Sequence, residues 1–146
     1  MAYQIKKTSR ITEDIELLSE SGESGNVEKI LHVEINPCSI IDGYRKAQIN
    51  LVNAQRECKN YPDNIEVVEK YKNAIANFFE HVLGTENTDI LLKYYNGEYI
   101  DMMFDMTPFI MNVVSPAMSE AIRLQKSRLA SNMNFSRRQK RKLGLK

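Results

Sequence analysis

The sequence predicts a mainly α-helical domain of four to five helices, with an N-terminal β-hairpin and a basic, flexible C-terminal tail. Apolar residues recur every three or four positions over most of residues 39–132, which is the spacing of helix faces. A shorter stretch before them alternates between apolar and polar residues, as a half-buried strand does. Charge is divided along the chain: residues 1–122 hold 11 Lys and Arg against 19 Asp and Glu, whereas residues 123–146 hold 9 Lys and Arg and no acidic residue. We therefore predict one domain over residues 1–132 and a tail over residues 133–146.

The hairpin is predicted at about residues 13–36. The apolar run Ile15–Leu18 forms its first strand, and the alternating segment Val27–Ile35 forms its second. Between them, residues 19–26 are rich in Ser, Glu and Gly, a composition typical of a flexible turn. Pro37 ends the second strand because proline cannot donate a ladder hydrogen bond.

Two long helices follow and are predicted to pack as an antiparallel pair. The first covers Ile41–Cys58, and the second carries an apolar stripe from Ile65 to Val82. Asp63, with Glu66 three residues later, is the predicted N-cap of the second helix. Gly84 is placed to end it.

The remaining helices are separated by turn residues and prolines. A short helix capped by Thr85 or Thr88 is predicted to end before Asn96-Gly97. Pro108 should kink or restart the apolar segment that follows, with Thr107 as the new cap. The last helix is predicted from about Pro116 to Asn132.

Composition excludes several classes of protein. Cys38 and Cys58 are isolated and only two histidines are present, which predicts neither a disulfide framework nor a zinc site. Residues 1–10 lack the apolar stretch of a signal peptide, and prolines and polar residues interrupt Tyr99–Met118 too often for a membrane span. We expect a soluble, intracellular protein without a cofactor or metal.

Catalytic motifs are missing from the sequence. It contains no nucleophile elbow, zinc-protease motif, phosphate-binding loop or dinucleotide fingerprint. His32 is predicted on a solvent-facing strand and His81 near the end of a helix, where a cation favours the dipole. We therefore predict that the protein is not an enzyme.

The segment Tyr99–Met118 is the candidate binding surface for a protein partner, because methionine-rich surfaces adapt to varied apolar partners. Alternatively, these side chains fill an irregular core around the two prolines. The candidate residues are Tyr99, Met102, Met103, Phe104, Met106, Phe109, Ile110, Met111 and Met118.

The tail offers a second candidate site, because clustered cations bind phosphates. No recognition helix accompanies it, so nucleic-acid binding remains an alternative to a solvated tail or one that contacts an acidic protein surface. The tail residues concerned are Arg137, Arg138, Lys140, Arg141 and Lys142.

The order of these parts resembles the tail assembly chaperones of long-tailed bacteriophages and prophages. The resemblance covers roughly residues 15–122 and depends on pattern and element order. It is carried by the strand Val27–Ile35, the helix Ile41–Cys58, the helix end Phe78-Phe79 to Gly84, the short helix Thr88–Tyr95 and the apolar segment Tyr99–Met118.

This resemblance implies a non-enzymatic protein that binds the tape-measure protein in the host cytoplasm. It would keep that long helical chain soluble while tail-tube subunits assemble around it, and it would be absent from the mature virion. The resemblance also implies a family in which frameshifting often yields a longer product. We expect self-association that shields the apolar segment. Another phage structural or connector protein, or a small nucleic-acid-binding regulator, are the alternatives.

Overall fold

A computed structural model describes residues 2–4, 10–19 and 26–142, with residues 132–142 described by their backbone alone. The predicted class is confirmed: the chain is mainly helical and begins with a two-stranded antiparallel hairpin. The elements are β1 (Ile11–Leu18), β2 (Val27–Ile35), α1 (Pro37–Asn60), α2 (Ile65–Leu83), α3 (Thr85–Tyr94), α4 (Tyr99–Phe109), a π-helical segment (Ile110–Val114) and α5 (Ser115–Lys142).

The hairpin has one buried face, as its alternating sequence predicts. β1 pairs with β2 in a register that places Ile15 opposite Leu31, and Leu31, Val33 and Ile35 are each only 1% exposed. On the outer face the pair His32–Asp14 lies 2.7 Å apart across the strands. Residues 20–25 of the predicted turn lie outside the described part of the chain.

The core forms where α1 packs against α2. Tyr44 on α1 contacts Phe78 on α2 with ring centroids 5.7 Å apart. Phe78 and Phe79 pack edge to face and are almost fully buried. The predicted apolar stripes therefore face each other, and the connection of Tyr61–Asn64 is short enough to make the helices neighbours.

Capping of the helices differs from the prediction at two positions. The N-cap of α2 is Asn64, one residue after the predicted Asp63: its side chain accepts hydrogen bonds from the backbone N–H groups of Glu66 (3.0 Å) and Val67 (3.3 Å). Neither Thr85 nor Thr88 caps α3 with a side-chain bond. The Thr88 hydroxyl instead donates to the Gly84 carbonyl at 2.8 Å, inside the core.

Two glycines end helices as predicted. Gly84 follows α2 with φ of 87° and donates its N–H to Glu80. Gly97 follows α3 with φ of 77° and donates its N–H to the Leu92 carbonyl at 2.9 Å. Both positions need the positive φ that glycine adopts without strain.

The hairpin is held against α3 by a hydrogen bond as well as by apolar packing. The Tyr94 hydroxyl donates to the Leu18 carbonyl at 2.6 Å, and Ile90 and Tyr94 line one side of a groove whose other side is Leu17, Glu28 and Lys29. The end of β1 is thereby fixed over the third helix.

Helix α4, the π segment and α5 form one continuous helical path. The predicted restart at Pro108 is wrong: Phe109, Ile110 and Ser115 all have φ near −61° and helical ψ. The Thr107 hydroxyl caps no new helix and donates to the Met103 carbonyl at 2.7 Å. The wider π turns lie between Pro108 and Pro116, and such turns rearrange the backbone bonds that proline interrupts.

Helix α5 is longer than predicted. Its backbone stays helical to Lys142, beyond the expected end at about Asn132. Residues 143–146 and the side chains of the predicted basic tail lie outside the described part of the structure. Flexibility of that tail stays a prediction.

Candidate partner-binding surface

Helix α4 has an inner face that belongs to the core. Met102 and Met106 are spaced by one helical turn and are 0% and 5% exposed, and α4 packs on α2. Met118, on α5, is 1% exposed. For these three methionines, the structure places the predicted binding residues inside the molecule.

The opposite side exposes large apolar side chains. Phe104 is 78% exposed, Met111 is 65% exposed and Ile100 is 44% exposed. Together these three residues are called the apolar outer face. Large exposed apolar side chains that share one side of a helix mark a candidate site where another molecule binds.

Four further predicted residues lie between these extremes. Tyr99, Met103, Phe109 and Ile110 are half-buried and pack against the edge of the core. They connect the buried methionines to the outer face. The candidate segment therefore has a core side and an exposed side. The core interpretation applies to Met102, Met106 and Met118, and the binding-surface interpretation applies to Met111.

Met111 lies in the π segment that joins α4 to α5. Each π turn holds more residues than an α turn, so the side chains after it are rotated relative to those of α4. Val114 is fully buried at its end, whereas Met111 and Asn112 face solvent. The π segment thus maintains core packing on one side and an exposed methionine on the other.

An apolar patch on α1 continues the surface, and the sequence analysis missed it. Ile49 is 63% exposed and Val52 is 45% exposed. Val52, Cys58, Tyr71 and Ile100 line an open groove of about 570 Å³ together with the polar Gln55, Arg56 and Lys59. The spacing of Ile49 and Val52 on a second side of α1 was the available signal.

Acidic groups border the apolar outer face. Asp101 and Asp105 on α4 are exposed, and residues 98–120 contain no Lys or Arg. The Tyr95 hydroxyl donates to the Asp105 carboxylate at 2.9 Å. Burial, and then the adjacent Asp105, raise the pKa of Tyr95, so this donor stays protonated at neutral pH. Such a surface suits an amphipathic helix with apolar and basic residues.

Other candidate residues do not join this surface. His32 pairs with Asp14 on the exposed side of the hairpin, with side chains 78% and 57% exposed. Within the part of the chain whose side chains are described, no group of three or more His, Cys, Asp or Glu could hold a metal ion. Among the described residues, no helix is long and apolar enough to cross a membrane.

Helix α5 leaves the core after its first turns. Met118 and Ala121 are buried and Ile122 packs against the core, whereas every residue from Gln125 to Ser131 is exposed. Arg123 pairs with Glu120 at 2.6 Å within the helix, and no acidic residue follows it. Over Gln125–Ser131, α5 is therefore a helix without core support, and the sequence of its second half is basic.

No family model, no curated protein and no solved structure matches this chain.

Proposed function

We propose that this protein is a non-enzymatic tail assembly chaperone of a long-tailed phage or prophage, which binds the tape-measure protein and keeps it soluble during assembly. The observation that carries the proposal is the apolar outer face of Ile100, Phe104 and Met111, exposed on an otherwise well-packed helical body. The order of elements that resembles this family supports it.

The physical requirement on such a chaperone is modest. A tape-measure protein is a long, apolar-rich helical chain that aggregates when its apolar stripe is exposed to water. A rigid helix that presents Phe104 and the flexible Met111 can cover part of such a stripe. This binding requires neither a catalysed reaction nor a bound nucleotide. Binding takes place in the host cytoplasm, and the chaperone does not enter the mature virion.

The test is co-expression with a tape-measure protein of a long-tailed phage, followed by affinity capture and a solubility assay. The double variant Phe104→Asp and Met111→Asp should retain the fold, because both side chains are largely exposed. It should lower the soluble fraction of the partner at least tenfold, because an aspartate on the contact surface costs several kcal/mol when desolvated.

Ile65→Asp is the matched control, because Ile65 is also 78% exposed but lies at the start of α2. This control should retain the partner as well as the unmodified chain does. If the unmodified protein captures no partner, the proposed function is wrong. If the double variant is folded and still solubilises the partner, the binding surface lies elsewhere.

A further inference from the structure

The long helix Tyr99–Lys142 has opposite charge at its two ends. Over residues 98–120 there are four acidic residues, Glu98, Asp101, Asp105 and Glu120, and no basic residue; over residues 123–142 there are eight Lys and Arg and no acidic residue. This arrangement agrees with the helix macrodipole. It also makes the two halves of the helix complementary to each other.

The two halves of one helix cannot contact each other. α4, the π segment and α5 follow one path without a turn, and at 1.5 Å per residue that path is about 65 Å long. The basic half therefore points away from the acidic half of the same chain. Any contact between the two has to be made with another copy.

Among the described side chains, the part of α5 over Gln125–Ser131 has no support within its own chain. From Gln125 onward its described side chains are exposed, and these include the 58% exposed Leu129. Most of the stability of a helix in a protein comes from packing of one face, so a helix exposed over Gln125–Ser131 gains stability from a contact there. Both ends of the long helix thus carry unpartnered surface: Phe104 and Met111 near one end, and Leu129 near the other.

We infer that two copies of this protein pair through Tyr99–Lys142 in antiparallel orientation, with the basic half of each helix along the acidic half of the other. This is a symmetric contact, in which each surface meets its complement in the second copy. Superimposing basic on acidic halves places position 111 of one copy near position 129 of the other, and the backbone of residues 101–105 near that of residues 135–139. The pairing covers Met111, a residue of the proposed partner surface, so a second copy and the tape-measure protein compete for it. The dimer is tested on the purified protein alone, and its failure is therefore distinguishable from failure of the proposed function.

The first test is the molar mass in solution by light scattering. At about 50 mM salt the protein should have twice its chain mass of 16.9 kDa, and at about 500 mM salt the dimer should dissociate at least tenfold more readily, because exposed charges are screened. A monomer at both salt concentrations and about 100 µM protein overturns the inference.

Charge reversal tests the pairing itself. Asp101→Lys with Asp105→Lys should abolish the dimer, and Arg137→Glu with Arg138→Glu should do the same. The chain carrying all four substitutions should dimerise again. Lys70→Glu with Lys72→Glu is the control with a matched charge change on α2, and it should leave the dimer intact. A dimer that survives both reversals overturns the inference.

Cross-linking tests the orientation. In a chain with Cys38→Ala and Cys58→Ala, the pair Met111→Cys and Leu129→Cys should form a disulfide-linked dimer under mild oxidation. Within one chain these positions are about 27 Å apart along the helix, beyond the reach of a disulfide. Met111→Cys alone should not cross-link. If Met111→Cys alone cross-links as well as the double variant, the antiparallel orientation is wrong. If the protein is a monomer that binds duplex DNA through α5, the pairing is also wrong.

Discussion

Gly43 lies in the second turn of α1, where His81 of α2 approaches it. A Cβ atom at position 43 would lie 2.7 Å from Nδ1 and 2.9 Å from Cε1 of the His81 ring. Contacts this short require one group to move. The exposed His81 side chain is the group that can do so, because its ring can rotate into solvent.

Gly43→Ala should therefore change the unfolding free energy by less than about 0.5 kcal/mol, because two effects offset each other. Alanine gains about 1 kcal/mol over glycine inside a helix, and displacing the His81 ring costs a similar amount. In a His81→Ala background the same substitution should stabilise the protein by about 1 kcal/mol. Urea unfolding of the four proteins measures both effects. Equal effects of Gly43→Ala in the two backgrounds would show that the close approach carries no cost.

At the residue scale, the sequence could identify the methionine-rich segment but not the side of the helix on which each residue lies. Met102, Met106 and Met111 have the same chemistry, yet the first two are core and the third is 65% exposed. Helical spacing separates them: at 3.6 residues per turn Met111 lies about 180° from Met102 and about 140° from Met106 around the helix. Spacing alone does not state which of these two sides packs on α2.

At the scale of secondary-structure elements, the start of α2 allows the capping roles of two neighbouring residues, Asp63 and Asn64, to be compared. Asn64 accepts two backbone hydrogen bonds at the helix start, and Asp63 accepts none there. Both residues are exposed, so replacing either with alanine removes little packing. The hydrogen-bonding role alone distinguishes them.

Asn64→Ala should lower the unfolding free energy by about 1 kcal/mol, the usual value of an N-cap. Asp63→Ala should change it by less than about 0.5 kcal/mol, as exposed substitutions without a specific role do. Chemical denaturation of the two variants and the unmodified protein under the same conditions measures both changes in unfolding free energy. Equal losses of unfolding free energy for both variants would contradict the assignment of Asn64 as the N-cap in place of Asp63.

The elements that the sequence predicts well are those with a simple period. The strand Val27–Ile35 and the facing stripes of α1 and α2 follow from apolar spacing alone. The sequence predicts a kink or a restart at Pro108, and the restart does not occur, because proline removes a single backbone donor and the helix that carries the buried Met102 and Met106 continues past it. Local sequence alone permits a restart there, whereas the backbone stays helical.

For the whole molecule, the candidate surface combines parts that are distant in sequence. Val52 on α1 and Ile100 on α4 line the same groove, although they lie far apart along the chain. The exposed apolar patch depends on how α1, α2 and α4 pack together, which a single sequence does not state. The charge division between the two halves of Tyr99–Lys142 is visible in the sequence, but its meaning depends on the continuity of that helix.

Three tyrosines make the folding stability of the whole molecule depend on pH in the alkaline range. Burial raises the pKa of Tyr44, of Tyr71 and of Tyr95, and at Tyr71 and Tyr95 neighbouring Cys58 and Asp105 raise it further. In the unfolded chain a tyrosine titrates near pH 10. Above that pH the folded state therefore holds more protons than the unfolded state, and folding stability falls as pH rises.

The unfolding free energy should thus stay level up to about pH 9.5 and decrease steadily above about pH 10, with a limiting slope of about 1.4 kcal/mol per pH unit for a fully buried tyrosine. Urea unfolding midpoints between about pH 8 and about pH 11.5 measure this decrease. Tyr44→Phe should make the slope shallower, because burial at the contact with Phe78 raises the pKa of Tyr44 in the folded state. Tyr61→Phe is the control, since Tyr61 is 62% exposed and meets water in both states, and it should leave the slope unchanged. A protein equally stable at both ends of this range would mean that these phenols lose their protons without opening the helical core.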